Sequence, residues 1–285
     1  MTSTSPVLAS GPDLRLSADR YEAVAEYLHG LCGIRLRDGK EALVVSRLGH
    51  RVRATAMPSL GAYIDAVLDG AIPDEIPHFI DVLTTNKTNF FREPAHFDYL
   101  VEEVLPRLAV SPAEIRIWSA ACSSGEEPYT LGMVVRDHLP PDALRRTRIL
   151  ATDISHRILA TARSARYAGN QLQGIPPETL RKHLEKVPGS PDAYTVRKEV
   201  RDLVRFARLN LMESWPMKGP FDVIFCRNVM IYFDRETQER LVQRFATLLP
   251  PGGILCVGHA ESLSGIAHGL EPIQPAVYRK PGGAS

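Results

Sequence analysis

The sequence lacks most of the features that announce a chemistry. Its four cysteines, Cys32, Cys122, Cys226 and Cys256, lie far apart, with no Cys-x-x-Cys pair and no Cys/His cluster. No metal site and no disulfide framework are therefore expected, and a reducing cytoplasm suits the chain. Neither sign of charge is in excess: the formal net charge is +1, which argues against nucleic acid as a partner. No apolar run nears the roughly 20 residues of a membrane span. The start, MTSTSPVLASGPD, has no basic stretch ahead of an apolar run, so no secretory signal is read there. Residues 1–16 and the closing PGGAS are expected to be disordered tails.

What remains is ordinary for a soluble globular protein, with 44% apolar and 24% charged residues. Its 285 residues suffice for one large or two modest domains. The first part reads as all helix. Tyr21, Val24, Ala25, Leu28 and Cys32 form an apolar stripe at helical spacing, with Ser17 as N-cap and Gly30 and Gly33 as stops. A second helix is expected over 39–56, a third after Pro58, and a fourth holding Ile76, Phe79, Ile80 and Leu83. The prolines of GAIPDEIP mark the end of a helical unit, set at 17–72, or the start of a linker, set at 73–93.

From Ile115 the rhythm changes. IRIWSA, RILATDI, VRFARLNL, FDVIFCRNV, GGILCVGH and AVYRK read as strands, and helical stretches separate most of them. That alternation predicts a parallel, doubly wound sheet with an antiparallel end, because nothing helical lies between the last two strands. Residues 164–203 exceed what a crossover needs and read as a partly β insertion.

Glycine is scarce where it would matter most. The turn after the first strand, WSAACSSGEEPY, has one glycine, Gly125, followed by Glu126 and Glu127. A phosphate-binding turn spends glycines and backbone N–H groups on an anion; two carboxylates there would repel a pyrophosphate. A nucleoside with a cationic amino group and no phosphate fits instead, and S-adenosylmethionine is such a molecule. In open α/β sheets the ligand lies beyond the carboxyl ends of the strands. Asp153, ending the second strand, is placed either to accept from ribose hydroxyls or to cap the next helix. Asn210 and Leu211 follow the next strand, and Arg227 and Asn228 the one after. A polar, aromatic segment, TTNKTNFFRE, precedes the sheet; folded over the cleft, it would bring Asn86, Thr88 and Arg92 to the ligand. Between Leu31 and Leu60 six cations stand against two acids. Lys40, Arg47 and Arg51 fall within roughly 40° of one another on the second helix, as a solvated face or as a docking surface for an acidic partner.

In this order and spacing, TTNKTNFFRE, RIWSAACSSGEEPYTLGM, LATDIS, FDVIFCRNVMIYFD and GGILCVGHAESL closely resemble the CheR-type chemotaxis receptor methyltransferases, over about residues 17–280. The resemblance implies an α/β protein: a class I, Rossmann-like methyltransferase domain over 94–280, a small all-helical domain before it and a small β-containing insertion. It implies methyl transfer from S-adenosylmethionine, leaving S-adenosylhomocysteine, to glutamates in the cytoplasmic domain of methyl-accepting chemotaxis receptors. It implies cofactor contacts at Asn86, Thr88, Arg92, Glu127, Asp153, Asn210, Leu211, Arg227 and Asn228, with Glu127 on the ammonium and Asp153 on the ribose. It places Arg92 and Tyr232 at catalytic positions and turns Lys40, Arg47, Arg51 and Arg53 toward the receptor. No metal, no membrane insertion and a monomer are expected. A glutamate carboxylate is already ionised at neutral pH, so no Ser/His/Asp or Cys/His triad is needed, and His259 receives no catalytic role. The rival readings are a binding protein of this fold without turnover and a nucleic-acid methyltransferase.

Overall fold

The structure, a computed structural model, describes residues 11–282. The tails expected at 1–10 and 283–285 lie outside the described residues. The chain divides into two compact units, residues 1–85 and 86–285.

The first unit is helical: α1 Ala18–Cys32, α2 Glu41–Ala54, α3 Leu60–Leu68 and α4 Ile76–Leu83. The stripe read from the sequence is buried on α1 as Tyr21, Val24, Leu28 and Cys32. Ser17 caps it by accepting from the Arg20 N–H, and Gly33 ends it at φ 75°, a left-handed conformation that glycine adopts without a Cβ penalty. Phe79, Ile80 and Leu83 are buried along α4; each such side chain contributes about 1.5–3 kcal/mol. Residues 73–83, read as the start of a linker, therefore belong to the helical unit. The two prolines sit harmlessly, Pro73 opening a 3-10 turn and Pro77 in the first turn of α4. Within the expected tail, Asp13 is held: its N–H donates to the Pro58 carbonyl and its own carbonyl accepts from Leu60 N–H, at 3.3 and 2.7 Å.

Among the described residues the second unit holds ten strands: β1 Ile115–Ala120, β2 Thr147–Asp153, β3 Arg166–Ala168, β4 Leu184–Lys186, β5 Ala193–Val196, β6 Val204–Arg208, β7 Val223–Cys226, β8 Ile254–Val257, β9 Glu271–Gln274 and β10 Val277–Arg279. Seven form one sheet in the order β6-β2-β1-β7-β8-β10-β9. From β6 to β8 the neighbours are parallel; β10 pairs antiparallel with both β8 and β9. β7 and β8 are buried at every position, as parallel strands covered on both faces must be. The insertion is a separate antiparallel sheet, β3-β5-β4.

Three details depart from the sequence reading. β9 was not anticipated, because EPIQ carries Pro272, tolerable only on an edge strand. β6 stops at Arg208, short of the expected Leu211, because the Asn210 side chain turns back to accept from Met212 N–H at 3.0 Å. Helix also fills residues 95–110, between the expected linker and the first expected strand, with a π-helical segment Leu100–Val104 just ahead of Pro106. No helix among the described residues is long and apolar enough to cross a membrane.

The candidate active site at the strand ends

In chain order the sheet grows from β1 through β2 to β6, then restarts on the other side of β1 with β7 and β8. The switch point, where connections diverge and a crevice opens, lies at the carboxyl ends of β1 and β7. Three segments meet there: the turn 121–125 after β1, residues 227–232 after β7, and residues 86–93 leading into the unit. Each bends through left-handed backbone that non-glycine residues avoid: Ala121 at φ 63° and Ser123 at 51°, Asn228 at 59°, Phe91 at 51° and Glu93 at 54°. Such residues cost of order 1–3 kcal/mol each and gather where the surroundings over-determine them.

The turn 121–125 is tied from several sides. Asp153 at the end of β2 accepts from Ser123 N–H at 2.8 Å and from Ser155 N–H at 3.0 Å. The cap of the following helix, His156–Ser164, is Ser155 rather than Asp153. The Tyr167 hydroxyl, on β3, donates to the Ser124 carbonyl at 2.8 Å. Gly125 sits at φ 97°, and a Cβ there would come within 3.0 Å of both the Ala162 Cβ and the Tyr167 hydroxyl. Glycine is thus needed for a close approach to the next helix and to β3. Glu126 is buried, takes the Ser124 hydroxyl at 2.6 Å, and has its carboxyl pushed up by burial.

Residues 86–93 fold over this turn. The Ser123 hydroxyl donates to the Asn86 carbonyl at 3.0 Å. Phe90 is buried, with its ring edge-on to Tyr167 at 4.9 Å, and Phe91 N–H donates to the Thr130 hydroxyl at 3.2 Å. Anchored at both aromatics, the segment presents Arg92, whose guanidinium donates to the Lys87 carbonyl at 3.1 Å, and Thr88, which is half-buried.

Arg227 is the hub. Its side chain is 2% exposed and pairs with Glu127 at 3.0 Å and Glu93 at 3.1 Å. It also donates to the Arg92 carbonyl and lies beside the Phe97 and Phe225 rings. Glu127 takes a second bond, from the Ser119 hydroxyl at 2.7 Å. One guanidinium serves two carboxylates, so the cluster keeps one net negative charge. Burial pushes the Glu127 carboxyl up despite Arg227. At Glu93, burial acts in the same direction, but Arg227 and Asn228 outweigh it and hold the carboxyl down.

Glu261, in the GHAES stretch, was not singled out by the sequence. It is buried, and its carboxylate accepts from the N–H groups of Asn228 (2.7 Å), Gly258 (2.6 Å) and Ile231 (3.2 Å). It thereby shapes the loop that carries Arg227, Asn228 and Tyr232. Only glycine fits at 258, because a Cβ would lie 2.6 Å from the Asn228 amide nitrogen and 2.7 Å from the Glu261 carboxylate. A spaced-out pattern of backbone contacts leaves no sequence signal beyond an acid three residues after a glycine. Within RNVMIYF, Met230 and Phe233 are core, while Ile231 and Tyr232 are not. Asn210 and Leu211 are buried beyond β6.

The donor set suits a nucleoside carrying a positive charge. A carboxylate accepts up to about four hydrogen bonds, so Glu127 can take an ammonium beside Ser119 and Arg227, and the surplus negative charge favours one. A phosphate would meet buried carboxylates instead.

In the helical unit the four basic residues separate. Arg47 donates to the carbonyls of Leu83 and Thr84 at 2.9 and 3.0 Å. Arg51 makes a two-point pair with Glu75 at 2.5 and 3.0 Å. Lys40 and Arg53 are exposed.

Comparison with known proteins agrees with this architecture. Residues 86–278 match the family described as "CheR methyltransferase, SAM binding domain", and residues 19–84 match "CheR methyltransferase, all-alpha domain". A probable chemotaxis protein methyltransferase of Rhizobium etli is 42% identical over 252 residues, 87% of this chain and 94% of that protein. Chemotaxis protein methyltransferases of Escherichia coli and Salmonella typhimurium are each 38% identical, over 92% and 96% of this chain and 90% and 94% of theirs. The chain belongs to the CheR methyltransferase family.

Proposed function

We propose that this chain methylates glutamate side chains in the cytoplasmic domain of methyl-accepting chemotaxis receptors, acting as a monomer in the cytoplasm and not on nucleic acid. The family membership and the names of its relatives support the reaction. The observation that carries the site is the Glu93–Arg227–Glu127 cluster at the switch point, with one more negative charge than positive.

Bound S-adenosylmethionine supplies a methyl group on a cationic sulfur. It would offer that methyl group to a glutamate carboxylate, with S-adenosylhomocysteine as the departing product. Opposite charges become a neutral ester and a neutral thioether, so the protein gains most by positioning the partners and excluding water. Glu127 holds the ammonium, and Arg227 fixes the Glu127 carboxylate from behind. Asp153 serves the ribose, Asn210 and Leu211 border the base, and Asn86, Thr88 and Asn228 close the pocket. Arg92 orients the incoming carboxylate, and Tyr232 walls the transfer point. Lys40 and Arg53 supply the exposed positive charge for an acidic receptor surface, while Arg47 and Arg51 brace the helix that carries it.

The test is transfer of labelled methyl groups to membranes containing the cognate receptors, read as alkali-labile ester. Arg92→Ala should lower the rate roughly a hundredfold while cofactor affinity, read by calorimetry, falls far less. Tight cofactor binding with no ester formed by the parent protein would reject catalysis in favour of a binding role.

A further inference from the structure

Two histidines that methyl transfer does not use, His96 and His259, adjoin the Arg227 cluster and share Glu93 with it. Glu93, His96 and His259 each offer one donor atom, and all these atoms lie within 4.8 Å of one another. His96 is 1% exposed, and neither ring nitrogen has a hydrogen-bond partner. Its Nδ1 is 3.7 Å from a Glu93 carboxylate oxygen, too far for a hydrogen bond. The His96 and His259 rings stand edge to face, centroids 5.1 Å apart. A buried imidazole with two idle nitrogens is costly; one that faces a carboxylate and a second imidazole is arranged as a ligand. His259 is exposed and borders an open cavity of about 320 Å3 shared with Gly258, Gln274 and Tyr278, so an ion can reach it.

We propose that Glu93, His96 and His259 form a site for a divalent transition-metal ion, two imidazoles and one carboxylate, with water completing the shell. Zinc takes such ligands at about 2.0–2.2 Å, so tetrahedral donors stand roughly 3.4 Å apart; the 3.7 Å between Glu93 and His96 needs little closure. The remaining movement falls on His259, the exposed member. Imidazole selects zinc, cobalt, nickel or copper over magnesium or calcium. The charge permits it, since Glu93 and Glu127 together outweigh Arg227. His259 arrives from far along the chain, so no spacing in the sequence betrays the site. The ion is regulatory rather than catalytic: it seizes the carboxylate that Arg227 otherwise holds, and Glu93 adjoins Arg92. Occupancy therefore reports on, and shifts, the segment that folds over the crevice.

The experiment is a Co2+ titration of the full-length, untagged chain, read by visible d–d absorption and followed by competition with Zn2+. One equivalent should bind and be displaced by Zn2+. His259→Ala, a change at an exposed side chain, should weaken binding at least about tenfold, and Glu93→Gln should weaken it as well. His50→Ala, an exposed histidine in the helical unit, serves as control and should leave the titration unchanged. No saturable absorption, or a titration unaltered by His259→Ala, overturns the proposal. The readout is metal binding alone, so failure here is separate from failure of the methyl-transfer reading.

Discussion

Each unit has an arginine clamped by carboxylates, and the two clamps differ in one charge. In the helical unit Arg51 meets Glu75 alone, two bonds to two oxygens, with the Tyr63 hydroxyl completing the set at 3.0 Å. Charge is balanced, and the Glu75 carboxyl ends below its ordinary value, the hydrogen bonds from Arg51 and Tyr63 outweighing burial. In the sheet unit Arg227 meets two carboxylates and balances only one. The Glu127 carboxyl is raised, burial outweighing the single guanidinium it shares. A closed clamp stabilises a fold; an unbalanced, buried one is unfinished without a cation, and that marks a binding site.

The comparison breaks most visibly at Arg227. Arg227→Ala leaves two buried carboxylates without their counter-charge and should lower the stability of the sheet unit by about 3–5 kcal/mol. Both tryptophans, Trp118 and Trp215, lie in that unit, so fluorescence-detected urea unfolding follows it alone. Glu127→Gln removes the surplus charge while keeping the shape. Affinity for S-adenosylmethionine should fall roughly thirtyfold, about 2 kcal/mol, with stability little changed; equal affinity in calorimetry would show that the ammonium is held elsewhere. Arg51→Ala should cost the helical unit about 1–2 kcal/mol, between surface and buried pairs. Circular dichroism should report that loss while tryptophan fluorescence does not move.

The smallest effect is on pH dependence. The Glu75 carboxyl is depressed from 4.5, so its contribution is present above that pH and disappears as pH falls through the folded value. Glu126 is raised from 4.5, chiefly by burial, so its contribution is present below that pH and disappears as pH rises through the folded value. Glu126→Gln should therefore remove part of the loss of stability that the sheet unit shows as pH rises above about 4.5, seen as a flatter fluorescence-detected midpoint above that pH. A midpoint that falls just as steeply in the variant would show that Glu126 is not the titrating group.

The layout of the sheet was readable because buried parallel strands write themselves as apolar runs; FDVIFC and GGILCV admit little else. The helical unit was readable from its stripes. β9 was hidden by Pro272. The crevice was half readable. Polar residues after strands pointed to Asp153, Asn210, Arg227 and Asn228; the odd charge of the turn pointed to Glu126 and Glu127 alike, and only the family resemblance singled out Glu127. That Arg227 pairs with Glu127 leaves no mark in the sequence, since 100 residues separate the two. Glu93, Glu261 and Tyr167 escaped for the same reason: each acts through backbone groups or partners distant in sequence. The basic face looked uniform at helical spacing, yet Arg47 and Arg51 turn inward to carbonyls and to Glu75, which periodicity alone does not distinguish from exposure.

Tyr167 belongs to the first strand of the small sheet, yet its hydroxyl bolts the Ser124 carbonyl and fills the slot left by the missing side chain of Gly125. The insertion is thus a keyed module rather than a free ornament. Its hairpin between β4 and β5, closed where Val187 N–H meets the Ala193 carbonyl, can be exchanged, lengthened or grafted without disturbing the crevice. The strand carrying residue 167 cannot be traded unless the donor segment brings a tyrosine to the same place. Variation between homologous proteins should therefore concentrate at the hairpin end and thin out toward β3.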